Sequence, residues 1–84
     1  MSNNLQIREK VKDFVLDTTF ADKAKIADET LIFKNGFIDS MGFVMLITFL
    51  EKEFKIPTQD RDLIETNFES INAITNYVMQ KQIA

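Results

Sequence analysis

The sequence has no cysteine and no histidine. Without cysteine there is no disulfide, no thiolate metal site and no thiol nucleophile. Without histidine the usual general base near neutral pH is missing, as is the commonest transition-metal ligand. A serine nucleophile in this chain would need a base from elsewhere. Self-contained acid–base or nucleophilic catalysis is therefore not expected: the sequence offers no catalytic set and no metal site. Long apolar runs are also missing, so no membrane span is expected. Met1-Ser2-Asn3-Asn4 lacks the basic and apolar regions of a secretory signal, and a cytoplasmic location is the default expectation. Positive charge is in short supply. The net charge is -3, which phosphate backbones repel, so nucleic acid is not an expected partner.

What is present is material for a core. Hydrophobic residues make up 45% of the 84, with 8 Phe among them. A chain this short folds only if most of that apolar surface enters one core, and residues 1–84 are expected to form one domain and a monomer. Charged residues amount to 27%, and no polar tract marks a disordered region.

Hydrophobic periodicity divides the chain into four segments. Ile7, Val11, Phe14 and Val15 recur at helical spacing within a first helix over Asn4–Asp17, with Asn3 or Asn4 as its cap. From Thr18 to Asp39 the pattern is irregular. Such a long connection in a small domain is usually functional or holds short helical pieces. Leu31, Phe33, Phe37 and Ile38 are expected to pin it to the core, and Asn35-Gly36 signals a turn. A second helix is predicted from Asp39-Ser40 to Phe54, both opening residues being good caps and Pro57 biasing Ile56 away from helix. A short helix near Asp60–Glu65 follows, with Leu63 and Ile64 as its apolar contacts. The last helix runs from near Asn67–Ser70 to Lys81, with Ile71, Ile74 and Val78 inward and Phe68 as a staple. The expected architecture is all-α: a small four-helix bundle of three main helices and one short one, with a long first loop.

The second helix is apolar on two sides. At about 100° per residue, Phe43, Leu46, Ile47, Leu50 and Phe54 form one stripe, expected to face the core. Met41, Val44, Met45 and Thr48 form another on nearly the opposite side, flanked by Phe49. A second stripe either packs under the long loop or stays exposed as a docking patch for a partner, for which methionine is well suited.

The stretch Leu31-Ile-Phe-Lys-Asn-Gly-Phe-Ile-Asp-Ser-Met-Gly42 resembles the signature of the acyl carrier protein family. There a loop Leu and a Gly precede an aliphatic-Asp-Ser-aliphatic step that opens the second helix. Leu46-Ile47, Leu50-Glu51, Glu53 to Pro57 and Asn67 to Ile71 continue the match in order. The resemblance implies that Ser40 receives 4′-phosphopantetheine from coenzyme A, with Asp39 in support as a cap or in orienting the transferase. It also fits the missing cysteine, because the prosthetic group would bring the thiol that holds an acyl thioester.

By the same resemblance the partners are a phosphopantetheinyl transferase, an acyl- or aminoacyl-adenylating ligase, and downstream acyl-transfer or condensing enzymes. Fatty-acid carriers usually have Leu after the serine and several acidic residues along this helix. Here Met41 follows, and Gly42 and Met45 stand where acids are frequent. Asp39-Ser-Met-Gly42 looks like the motif of D-alanyl carrier proteins. An aminoacyl or specialised-metabolite carrier is therefore the first expectation. A fatty-acid or polyketide carrier is the second, and an unmodified helical interaction module, gripping a partner through Met41, Val44 and Met45, the third.

Overall fold

The computed structural model describes residues 4–19 and 23–83. Four α-helices, α1 (Asn4–Thr18), α2 (Ser40–Phe54), α3 (Glu65–Phe68) and α4 (Ile71–Ile83), are joined by segments holding two 3-10 turns, Lys23–Lys25 and Asp60–Asp62. Among the described residues there is no strand, so the expected small helical bundle is what the chain forms. No helix among them is long and apolar enough to cross a membrane.

Each long helix follows from its apolar spacing. Ile7, Val11 and Val15 lie four apart, so they share one face of α1, and all three are fully buried. That face packs chiefly against α4, where Ile71, Ile74 and Val78 are buried in the same way. Across this contact the Arg8 guanidinium donates to the Asn72 side-chain oxygen and pairs with Asp28 at 3.4 Å. The Asn72 N–H donates to the Asp28 carbonyl at 3.0 Å, so the first loop is fastened to both helices. Asn4 forms the first residue of α1 and accepts from Arg8 at 3.2 Å. Asn3, the other candidate cap, lies outside the described residues.

The long connection is held by backbone bonds and by buried isoleucines. Ile38, expected as an anchor, is buried, and so are Ile26 and Ile32. The Ile32 N–H donates to the Glu69 carbonyl at 2.9 Å, and the Ile32 carbonyl accepts from both Phe37 and Ile38. Gly36 takes φ 76° in the predicted turn, a value open to glycine at no steric cost. Phe33 and Phe37 are half-buried against the core.

After α2 the structure departs from the expectation. The segment Asp60–Glu65 is not one short helix with Leu63 and Ile64 turned inward. It is a 3-10 turn, Asp60–Asp62, followed by extended backbone at Ile64 and then by α3. Leu63 and Ile64 are 43% and 52% exposed. Polar contacts decide this geometry. The Gln59 N–H donates to Asp62 Oδ2 at 3.1 Å, and Asp62 pairs with Lys81 of α4 at 2.6 Å. The core position is filled instead by Phe68, which is fully buried in α3 with its ring edge-on to Phe43 and Tyr77. Phe68 is thus a core residue rather than a staple on the last helix. α4 itself starts at Ile71, where Ser70 Oγ accepts from the Ala73 N–H at 3.1 Å, an N-cap bond.

Candidate functional site

α2 starts where the first loop ends. Asp39 has extended backbone (φ -96°, ψ -171°), and its Oδ1 accepts from the Gly42 N–H at 2.9 Å. This is the N-cap geometry that satisfies one of the amides a helix start leaves unpaired. Ser40 is then the first residue of the helix, and its side chain is exposed. The amides of this first turn and the positive end of the helix dipole favour a negatively charged group beside Ser40.

An open cleft of about 530 Å³ lies next to this step, lined by Phe33, Ile38, Asp39, Ser40, Phe43, Glu65 and Phe68, with Gly36 at its edge. Its aromatic wall is continuous. Phe33 meets Phe43 edge-on at 5.4 Å between centroids, and Phe43 meets Phe68 at 5.5 Å. Among the described residues, the charged ones in the lining are the carboxylates Asp39 and Glu65. With no imidazole in the chain, this arrangement can hold a group at Ser40 but has no neutral base to activate the hydroxyl.

The outer stripe of α2 lies where the helical wheel puts it. Met41, Val44 and Met45 are 69%, 59% and 50% exposed. Thr48 is exposed too, its hydroxyl donating to the Val44 carbonyl at 3.1 Å. Burial under the first loop is thereby excluded. From Ser40 to Leu50 the helix carries no charged side chain. Phe49, expected to flank this stripe, instead turns toward α1 and stacks on Phe14 at 4.5 Å. On the inner side Leu46, Leu50 and Phe54 are buried, with Phe43 and Ile47 half-buried against the same core.

Some features of the site are not readable from sequence. The cleft is made by rings from three distant segments. The glycine at position 42 is buried, a tight packing point for which helix periodicity gives no signal. Leu63 and Ile64 precede the cleft residue Glu65 and are open to solvent rather than internal.

The structure is a short helical bundle with a serine exposed at a helix start. Known proteins resemble this chain over most of its length. The chain is 33% identical over 78 residues to an acyl carrier protein of Thermosynechococcus vestitus, covering 90% of this chain and 96% of that protein. It is 33% identical over 70 residues to an acyl carrier protein of Clostridium acetobutylicum, covering 83% and 88%. A D-alanyl carrier protein of Lacticaseibacillus casei is 29% identical over 76 residues, covering 90% and 94%. No family model matches the chain. The chain belongs to the acyl carrier protein family. Membership implies a phosphopantetheine prosthetic group and work alongside partner enzymes.

Proposed function

We propose that Ser40 is the attachment point of 4′-phosphopantetheine, and that the protein presents an acyl or aminoacyl group to partner enzymes from that arm. The observation that carries this reading is the exposed Ser40 at the first position of α2, fixed by the Asp39 cap. The residues fit the group. A phosphodiester on Ser40 would stand against the first-turn amides of α2, and the apolar cleft beside it can shelter an aliphatic stem. In attachment, Ser40 Oγ bonds to the pantetheine-side phosphorus of coenzyme A, the bond from that phosphorus to the bridging oxygen of the diphosphate breaks and adenosine 3′,5′-bisphosphate leaves, while the hydroxyl proton passes to a base of the transferase. When bound, the arm supplies the thiol, absent from this chain, that holds the cargo as a thioester.

Asp39 caps the helix and holds the serine step in place, and its carboxylate stands beside Ser40 where it can help orient the transferase. Met41, Val44, Met45 and Thr48 form the face on which the transferase and an adenylating ligase dock. Because that face is apolar, contact rather than ion pairing holds those complexes. This favours an aminoacyl or specialised-metabolite carrier in the cytoplasm, in keeping with the D-alanyl carrier protein among the relatives. A fatty-acid or polyketide carrier is the second reading, and the aromatic cleft is the observation in its favour.

The first experiment is intact mass after incubation with coenzyme A and a broad-specificity phosphopantetheinyl transferase. Wild type should gain one arm and Ser40→Ala none, with helicity unchanged. A wild type that stays unshifted beside an active transferase refutes the carrier chemistry and leaves an unmodified interaction module. Charging the modified protein with a panel of amino acids and fatty acids through adenylating ligases then decides between the two carrier readings.

A further inference from the structure

The first turn of α2 contains a residue that helix energetics alone would not choose. Glycine inside a helix costs about 0.5–1 kcal/mol relative to alanine. Gly42 has no positive φ to justify it. What it provides is space. A Cβ built at position 42 would lie 2.3 Å from Ile38 Cγ2, 3.3 Å from Thr18 Cγ2 and 3.6 Å from Asp39 Oδ1. The end of α1, the last residues of the long loop and the cap of α2 therefore converge on this one point.

Ile38 has little room to yield. Its side chain is 2% exposed, and its N–H donates to the Ile32 carbonyl at 3.1 Å. A methyl at position 42 would push on Ile38, and Ile38 is followed directly by Asp39 and Ser40. The same Ile38 lines the cleft beside Ser40.

We propose that Gly42 is a positioning residue for Ser40: the space left by its missing side chain seats Ile38 Cγ2, and that contact sets where the Asp39–Ser40 step stands. The inference rests on the reading of Ser40 as the modified serine. The Gly42 amide is also the donor to the Asp39 cap, so one residue contributes both the space and the hydrogen bond that hold the serine in register. The outer stripe faces away from this contact, which separates positioning from docking.

The test is the kinetics of arm transfer from coenzyme A to four full-length proteins: wild type, Gly42→Ala, Ile38→Leu and the double variant. Leucine keeps the volume of isoleucine, a change that cores tolerate well, but has no Cγ2 branch at Cβ. Displacing a reacting group by about an ångström costs on the order of 100-fold in rate. Gly42→Ala should therefore lower kcat by about 10- to 100-fold with the KM for the carrier little changed. Ile38→Leu, which empties the space at position 42, should lower kcat by roughly 3- to 10-fold, and the double variant, in which the alanine methyl fills that space again, should recover most of the lost kcat. A substitution that only destabilised the fold would reduce the folded fraction and raise apparent KM, leaving kcat intact.

Faster exchange of the residue-42 amide in Gly42→Ala, slowed again to the wild-type rate in the double variant, would report the displaced cap without any turnover. If Gly42→Ala does not fold but the double variant folds and is modified normally, the Ile38 contact is supported. Wild-type kcat in Gly42→Ala, no recovery in the double variant, or failure of both to fold overturns the inference. An unmodified wild type sinks the reading of Ser40 and this inference with it, whereas a modified wild type with an indifferent Gly42→Ala sinks this inference alone.

Discussion

Met45 and Leu46 are neighbours in the chain, and substitutions at the two should have opposite consequences. Leu46 is fully buried, whereas Met45 is 50% exposed. Leu46→Ala removes three buried carbons and leaves a cavity, which costs about 2–5 kcal/mol. A domain of this size has only about 4–13 kcal/mol of stability in total. The melting temperature should fall by roughly 10–40 °C. Met45→Glu changes a surface side chain to one of similar helix propensity, so stability should stay within about 0.5 kcal/mol and Tm within about 4 °C. Its effect should appear in docking instead. A carboxylate in the middle of an apolar contact loses the anchor and must also be desolvated, costing at least about 1–2 kcal/mol, or roughly a tenfold or larger rise in the KM for the carrier. Thermal melting by circular dichroism and transferase or ligase kinetics on both variants provide the comparison. Unfolding by Met45→Glu would put Met45 in the core and refute the division of α2 into two faces. A stable Met45→Glu that is modified and loaded at the wild-type KM would leave the faces intact but refute docking through this stripe.

Two further expectations concern stability. The Asp62 carboxyl is held below its ordinary value of 3.8, first by the hydrogen bond from Lys81 and then by the Gln59 N–H. Below that ordinary value the unfolded chain binds a proton that the folded chain resists, so the contribution of Asp62 is complete above about pH 4 and is lost as pH falls through the folded value. Asp62→Asn should lower Tm at pH 7 and flatten its decline as pH falls below the ordinary carboxyl value of 3.8; an unchanged acid limb in the variant would contradict the assignment. At the other end of α2, Lys55 sits at φ 54°, ψ 43°, a left-handed conformation that favours glycine. Lys55→Gly should raise stability by about 0.5–1 kcal/mol in urea unfolding, and a loss of stability would mean that the lysine side chain matters more than its backbone.

The parts of the fold that were legible in the sequence are those decided within a few residues. Ile7, Val11 and Val15 define a face by their own spacing, and Asp39 caps the helix that follows it immediately. Pro57 announced the end of α2, although the left-handed residue that terminates it is a lysine rather than the usual glycine. What could not be read depends on contacts across the chain. Leu63 and Ile64 look like core residues in isolation, and they are exposed because Asp62 is tied to Lys81, nineteen positions along. The cleft requires Phe33, Phe43 and Phe68 to meet, and the need for glycine at position 42 arises from Ile38 and Thr18. At the site itself Ser40 was legible, whereas the surroundings that place it were not.

This difference has a physical consequence for how the protein can work. The largest helix–helix contact joins α1 to α4, while α2 makes much smaller contacts with either. α2 is secured through one face, where Leu46, Leu50 and Phe54 are buried, and through the contacts beside it: Gly42 against Ile38 and Thr18, Phe43 between Phe33 and Phe68, and Phe49 on Phe14. A helix held in this way leaves its opposite face free of any role in stability. The cleft lies between α2 and the α3 region rather than inside the α1–α4 contact. Cargo or arm can then occupy the cleft, and a partner can cover Met41, Val44 and Met45, without disturbing the contact that keeps the chain folded. The opposite arrangement, with the serine on α1 or α4, would place each loading event against the main source of stability. Substitutions that alter partner choice are accordingly expected to be tolerated on the outer face of α2 far more readily than anywhere on α1 or α4 that faces inward.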